Sequence, residues 1–167
     1  MKNYLVLIDG PKGSGKSTLW ELLKEHLSNT EFFSLDNMRQ LVEKTDSKDN
    51  DNEKAFWLLT EKLKDVFRQK KNAVIDSGLS ERRVIVLEEI SKEYAIQLHK
   101  FAFIAPYDVL HLRVKERDKN KGKIFDKHRF DYTLNVQQSK SFENFFIIDS
   151  SKLSPQEIFE MVYSKIT

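Results

Sequence analysis

The sequence contains no cysteine, which excludes disulfides, thiolate metal sites and cysteine nucleophiles. Only 3 prolines and 5 glycines occur in 167 residues, far too few for a collagen-like or low-complexity chain. No apolar run approaches the roughly 18–20 residues that cross a bilayer. The opening "MKNYLVLIDG" superficially resembles a leader, but its apolar stretch is short and no small-residue cleavage site comes after it, so it reads as a strand. Charge is not one-sided either. The 28 Lys and Arg against 26 Asp and Glu leave a net +2, so any contact with nucleic acid must come from a local patch. His26, His99, His111 and His128 are scattered without metal-ligand spacing and read as surface or boundary residues. What remains, 40% hydrophobic and 32% charged residues, is the composition of a single folded domain over 1–167, expected to be intracellular and cytoplasmic.

Three of the five glycines fall within six residues, in "LVLIDGPKGSGKSTL". Gly10, Pro11, Lys12, Gly13, Ser14, Gly15, Lys16 and Ser17 match GxxxxGK[ST] in full, and Thr18 comes next. The stretch lies after a continuous apolar run and opens a helical pattern, where such a loop turns its backbone N–H groups onto phosphates. Lys16 is expected to reach the β- and γ-phosphates of a nucleoside triphosphate, and the Ser17 hydroxyl to ligate Mg²⁺.

Short apolar runs alternate with longer helical patterns along the rest of the chain, which predicts βαβ units. Strands are expected at 4–8, 31–35, 72–76, 96–105 and 144–150. Helices are expected at 16–27, near 37–44, at about 53–69, after Ser80, and after Ser154, where Pro155 and Glu157 complete a capping pattern. "TDSKDNDNE" (45–53) reads as a polar loop. The apolar stripe Phe56, Trp57, Leu59, Leu63 and Phe67 reads as core packing. The fold expected is an α/β three-layer sandwich: a five-stranded parallel sheet flanked by helices, with a lid at about 111–140.

Residues beyond the phosphate loop narrow the chemistry. No guanine-reading NKxD is present, since "NKGK" (120–123) lacks the Asp, and Asp76 is succeeded by "SGL" rather than a DxxG switch. Motor and AAA-type ATPases are usually larger, so a small kinase is the favoured reading. Such an enzyme needs a base for a hydroxyl acceptor, a cation to hold it and a lid with arginines. "FSLDNMRQL" supplies Asp36 at the carboxyl end of the second strand and Arg39 one helical turn on. Asp36 suits the base and Arg39 an acceptor phosphate or hydroxyl, although an Asp here also suits a helix cap. Asp76, ending the third strand, suits Mg²⁺ or its water shell. In "HLRVKERDKNKGKIFDKHR", Arg113 and Arg117 are spaced i, i+4 on one helix face, as lid arginines closing on the triphosphate would be. The same stretch also reads as a solvated basic helix, or collectively as a track for a phosphate backbone.

These motifs resemble the polynucleotide 5′-hydroxyl kinase family and related small P-loop kinases over most of the chain. The likeness rests on the glycine loop, the Asp36–Arg39 pair, "VIDSGLSERR" and the segment running from "SKEYAIQLHKFAFIA" to Arg117. It implies an ATP- and Mg²⁺-dependent kinase with Lys16, Asp36, Arg39 and Arg117 as catalytic residues. Donor contacts would come from 10–18, Arg113 and Arg117, and metal contacts from Ser17 and Asp76. The acceptor implied is a nucleic-acid 5′-end or a nucleotide. Gly78 stands where relatives often carry Asn, and no DxDxT phosphatase motif appears. The fifth strand, the last helix and "HRFDY" (128–132) are similar to thymidylate kinase, but the Asp-Arg pair of that family is missing because Ser77 comes after Asp76. A nucleoside monophosphate or small-molecule kinase is thus the alternative, and a non-catalytic ATP-binding regulator the next.

Overall fold

The computed structural model describes residues 3–76 and 78–167; the readings that involve Met1, Lys2 and Ser77 lie outside the described residues. In chain order the elements are β1 (Tyr4–Asp9), α1 (Lys16–His26), β2 (Thr30–Ser34), α2 (Leu35–Leu41), α3 (Lys48–Arg68), β3 (Asn72–Asp76), α4 (Glu81–Glu93), β4 (Gln97–Ile104), α5 (Tyr107–Asn120), α6 (Lys127–Gln138), β5 (Phe146–Asp149) and α7 (Pro155–Ile166). The strands form one parallel sheet in the order β2-β3-β1-β4-β5, the α/β sandwich that the alternation of short and long apolar patterns predicts.

β1 is the central strand and is buried at every residue. Because side chains alternate across a strand, Leu5 and Leu7 pack on one face with Phe56, Leu59 and Leu63 of α3 and Leu87 of α4. Tyr4, Val6 and Ile8 pack on the other with Leu19 and Leu23 of α1 and Val162 of α7. Covered on both sides, the strand needs the continuous apolar run that its sequence shows. The chain passes from β3 on one side of β1 to β4 on the other, so the crossovers part at the carboxyl ends of these strands and leave a crevice there.

Two expectations are corrected. The segment 45–53 is not all loop: α3 starts at Lys48, capped by the Ser47 side chain, which accepts from the Asn50 N–H. Asp51 is buried there and accepts from the Thr45 N–H and hydroxyl, both at 2.8 Å. Trp57 is 48% exposed and leaves the core to its stripe-mates Phe56, Leu59, Leu63 and Phe67. The segment expected as a lid, about 111–140, is built of two helices: Gly122 at φ +65° ends α5, and Asp126 caps α6 by accepting from the Arg129 N–H. At the chain's end the capping pattern forms as read, with Ser154 and Glu157 exchanging side chain–backbone hydrogen bonds.

Candidate active site

The glycine loop joins β1 to α1 and is shaped from both sides. Gly13 adopts φ +82°, and a Cβ there would stand 2.9 Å from Val114 Cγ2 and 3.0 Å from the Leu110 carbonyl, so α5 packs against the loop with no room for a side chain. Gly15 takes φ +96° and is the N-cap of α1, making no side-chain bond to the helix end. The first N–H groups of α1 thus face the crevice, together with the positive end of the helix dipole. Ser14 is fully buried, and its hydroxyl is without a hydrogen-bond partner among the described residues. A buried orphan hydroxyl carries a desolvation cost, and here it sits in a loop whose backbone donors converge on one point. That arrangement fits a bound polyphosphate.

Lys16 donates to the carbonyls of Gly10 (2.7 Å) and Pro11 (3.0 Å). Burial pulls its pKa below the usual lysine value, against the opposing pull of Asp76 and Asp9. Asp76 is shifted the other way: burial raises its pKa despite Lys16, and the carboxylates Asp9 and Asp36 add to the rise. Asp76 and Ser17 line the same cleft, and among the described residues no group of three or more His, Cys, Asp or Glu side chains is placed to hold a metal ion. Lys12 is lowered by burial and by the nearby Arg129 and Arg117.

On the other wall, α2 begins directly after β2. Its N-cap is Ser34, whose hydroxyl accepts from the Asn37 N–H at 3.1 Å. Asp36 therefore does not cap the helix. It is 78% exposed and forms an ion pair with Arg39, and Arg39 also donates to Asn52 of α3 at 3.3 Å. The two residues that sequence spacing paired do share one face, and an unforeseen asparagine steadies the guanidinium.

Both walls open on one cleft of about 840 Å³, bounded by the glycine loop, Asp36, Arg39, Asp76, Arg113 and Arg117. All the expected site residues therefore face a common space, but the two lid arginines differ. Arg113 is turned toward the β5 side, where it donates to the Ser150 hydroxyl (3.1 Å), the Ser150 carbonyl (2.9 Å) and the Gly13 carbonyl (3.3 Å). Its place is at the root of α5, pinning the glycine loop to the end of β5. Arg117, one turn on, pairs only with its neighbour Asp118 at 3.1 Å and is half exposed at the mouth.

Arg83, Lys48 and Asn52 also line this cleft, and of these only Arg83, in "VIDSGLSERR", carries a signal in the sequence. Arg83 of α4 bonds Glu53 at 3.2 Å and lies over the Phe56 ring. Lys48 and Asn52 line the same wall from α3, within the segment read as loop. Behind the cleft, Asp9, the last residue of β1, is buried, lines a separate cavity and takes hydrogen bonds from Gln137 and Lys140; here an acid ending an otherwise apolar run was an available signal.

No curated protein matches the sequence. The fold is shared with a sugar kinase from Janibacter sp. HTCC2649 (18% identity, TM-score 0.68, covering 97% of this chain and 93% of that one). It is also shared with the tunicamycin resistance protein of Deinococcus radiodurans (22% identity, TM-score 0.69, covering 99% and 96%). A third likeness is to a chain of the Pnkp1/Rnl/Hen1 RNA repair complex (21% identity, TM-score 0.66), where 82% of this chain covers 44% of the other. Among the described residues no helix is long and apolar enough to cross a membrane. A family model described as an AAA domain matches residues 6–134, so the small size that argues against larger AAA-type ATPases does not separate the chain from this domain family. The match runs from β1 into α6 and takes in the glycine loop, both cleft walls and the two lid arginines: the chain belongs to the AAA domain family, in the form of a P-loop kinase-like fold.

Proposed function

We propose that this protein transfers the γ-phosphoryl group of ATP to a hydroxyl, with Mg²⁺, and that the acceptor is the 5′-hydroxyl of a polynucleotide or nucleotide. The observation that carries the reading is the cleft itself: the phosphate loop forms one wall and the exposed Asp36, paired with Arg39, forms the other. An exposed carboxylate with a guanidinium beside it, opposite the phosphate loop, is what fixing and deprotonating a hydroxyl acceptor requires.

The residues divide the work by position. The N–H groups of 10–18 and Lys16 hold the β- and γ-phosphates, with Lys16 exchanging its loop carbonyls for phosphate oxygens. Ser17 and Asp76 would hold Mg²⁺, which when bound supplies charge neutralisation to the phosphates. Asp36 takes the proton of the acceptor hydroxyl as the oxygen approaches phosphorus. Arg39, steadied by Asn52, orients that acceptor, and Arg117 closes on the charge spread over the transferred group. Arg113 contributes by keeping the loop in place at its base.

A second reading has its own support. The likeness to the sugar kinase spans nearly the whole of both chains, which favours a small polyhydroxy acceptor in the same cleft with the same roles. Transfer of labelled γ-phosphate from ATP separates the readings. The panel holds 5′-hydroxyl oligonucleotides of both sugars, nucleosides, nucleoside monophosphates, simple sugars and a water blank, with Asp36→Asn alongside. Label on oligonucleotide ends that the substitution abolishes supports the first reading, and label on monomers alone supports the second. ATP binding with no transfer to anything defeats both. Added salt sharpens the result, since a polymer held through several phosphates loses affinity steeply with ionic strength.

A further inference from the structure

One constellation of side chains at the edge of the cleft, which only Gln137 among them lines, has no part in phosphoryl transfer as proposed. Asp9 is 4% exposed and accepts three hydrogen bonds: from the Gly10 N–H at 2.6 Å, from Gln137 Nε2 at 2.8 Å and from Lys140 Nζ at 3.2 Å. Gln137, 9% exposed, lies near the end of α6 and lines the main cleft beside Thr133 and Gly78. An ionised carboxylate only accepts, so the amide of Gln137 must turn its nitrogen to Asp9 and its oxygen away. The oxygen then stands 3.9 Å from where a Cβ on Gly78 would lie. Gly78 comes shortly after β3, on the side of the glycine loop that carries Asp36 and Arg39 and opposite the side where Arg113 meets Ser150. Asp9 Oδ1 stands at the same 3.9 Å from that Cβ position and Lys140 Nζ nearer, at 3.3 Å, so the missing side chain at 78 leaves a space where Gln137 Oε1 is the uncharged acceptor beside an ion pair.

We infer that Gln137 is a specificity-determining residue on the acceptor side of the cleft, its Oε1 accepting a hydrogen bond from an uncharged donor next to the reacting hydroxyl, and that Asp9 is the positioning residue that sets the direction of its amide. The inference rests on the phosphotransfer reading. The donor it selects is a second hydroxyl or an N–H of the acceptor, since an amide oxygen only accepts. The cations suited to phosphate, Arg39, Lys48 and Arg83, line the cleft from α2, α3 and α4. Lys140 neutralises Asp9 from the turn after α6 and keeps its charge engaged there.

The test is steady-state kinetics with ATP and the panel acceptor that the unaltered protein labels best. For Gln137→Met, which keeps the length of the side chain and removes the amide, the acceptor kcat/KM is expected to fall roughly tenfold, the worth of one hydrogen bond between neutral groups. The kcat/KM for ATP should stay within about twofold. Asp9→Asn offers Gln137 both a donor and an acceptor, so the amide loses its single preferred direction and the acceptor kcat/KM should fall about threefold. An unchanged acceptor kcat/KM in Gln137→Met, or a kcat/KM for ATP that falls as far as the acceptor's, overturns the inference, since a role in packing alone would disturb both substrates together. If Gln137→Met does not fold, as its melting curve would show, Asp9→Asn carries the same test with the same two outcomes. Absence of transfer by the unaltered protein overturns both this inference and the phosphotransfer reading, whereas transfer with indifferent variants overturns this one alone.

Discussion

Beneath the cleft, Leu5, Leu59 and Leu63 are wholly buried, Phe56 nearly so, and both faces of the sheet are covered by helices. Above it, α5 and α6 share a far smaller cluster of Leu110, Val114, Phe130 and Leu134. The two helices are joined by the Tyr107 hydroxyl to Asp131 at 2.8 Å. α5 meets the glycine loop through Leu110 and Val114 and the end of β5 through Arg113 to Ser150, whereas α6 reaches the sheet through Gln137 to Asp9. Each large apolar side chain taken out of water contributes about 1.5–3 kcal/mol, so the sheet has many such contributions and the helical cover has few. Polar links exchange protein partners for water at little net cost. On the proposed function the contrast suits two tasks: the floor, with α5 against it, keeps the phosphate loop rigid, and α6 is the part of the cover free to loosen as substrates enter and products leave.

The sharpest break between the regions is expected from Asp36→Asn. Its side chain is exposed and not part of either cluster, so turnover should fall about 10³-fold while the melting temperature stays within a degree or so of the unaltered protein's. A fall of less than tenfold would remove Asp36 from the role of base. Next in size, Leu63→Ala in the floor should cost about 3 kcal/mol of global stability, measured by urea unfolding. Phe130→Ala in the cover should behave differently. Amide exchange over 127–138 should speed up more than tenfold, while global stability drops by less than about 1 kcal/mol. Equal losses for the two variants would show that cover and floor unfold as one unit.

The smallest effect concerns the buried charges of the floor. Burial raises the pKa of Asp76 in the folded protein, so the folded state binds its proton more readily than the unfolded chain does. Stability then falls as pH rises through that raised value. Without nucleotide or metal, Asp76→Asn should therefore stabilise the protein at neutral pH by about 1 kcal/mol. The gain should fade as pH drops through the raised value toward the ordinary carboxylate range, where Asp76 is neutral in both states. A gain that persists in acid would point to a cause other than charge burial.

How much of this could be read beforehand depends on whether the signal is local. The strands could be read because β1 and β3 are buried on both faces and must be continuously apolar, and the phosphate loop because its glycines serve its own backbone. Asp36 and Arg39 were legible because one helical turn separates them. Lys48 and Asn52 were not: they sit in an acidic, polar stretch that is helical only because Ser47 caps it and Asp51 finds Thr45. The two fates of Arg113 and Arg117 were equally hidden, since identical residues on one helix face are told apart by Ser150, far along the chain. Asp9 and Gln137, 128 residues apart, meet only once the fold is complete.

The cap at Ser34 has a consequence for how this chain can change over time. Since the serine, not Asp36, secures the start of α2, the acid that would do chemistry contributes almost nothing to folding. A single base change at that codon would leave an intact, nucleotide-loading protein that no longer turns over. Descendants of such a chain would have a ready route from working on a molecule to merely sensing it, and the same substitution gives the experimenter a stable trap for whatever the cleft receives.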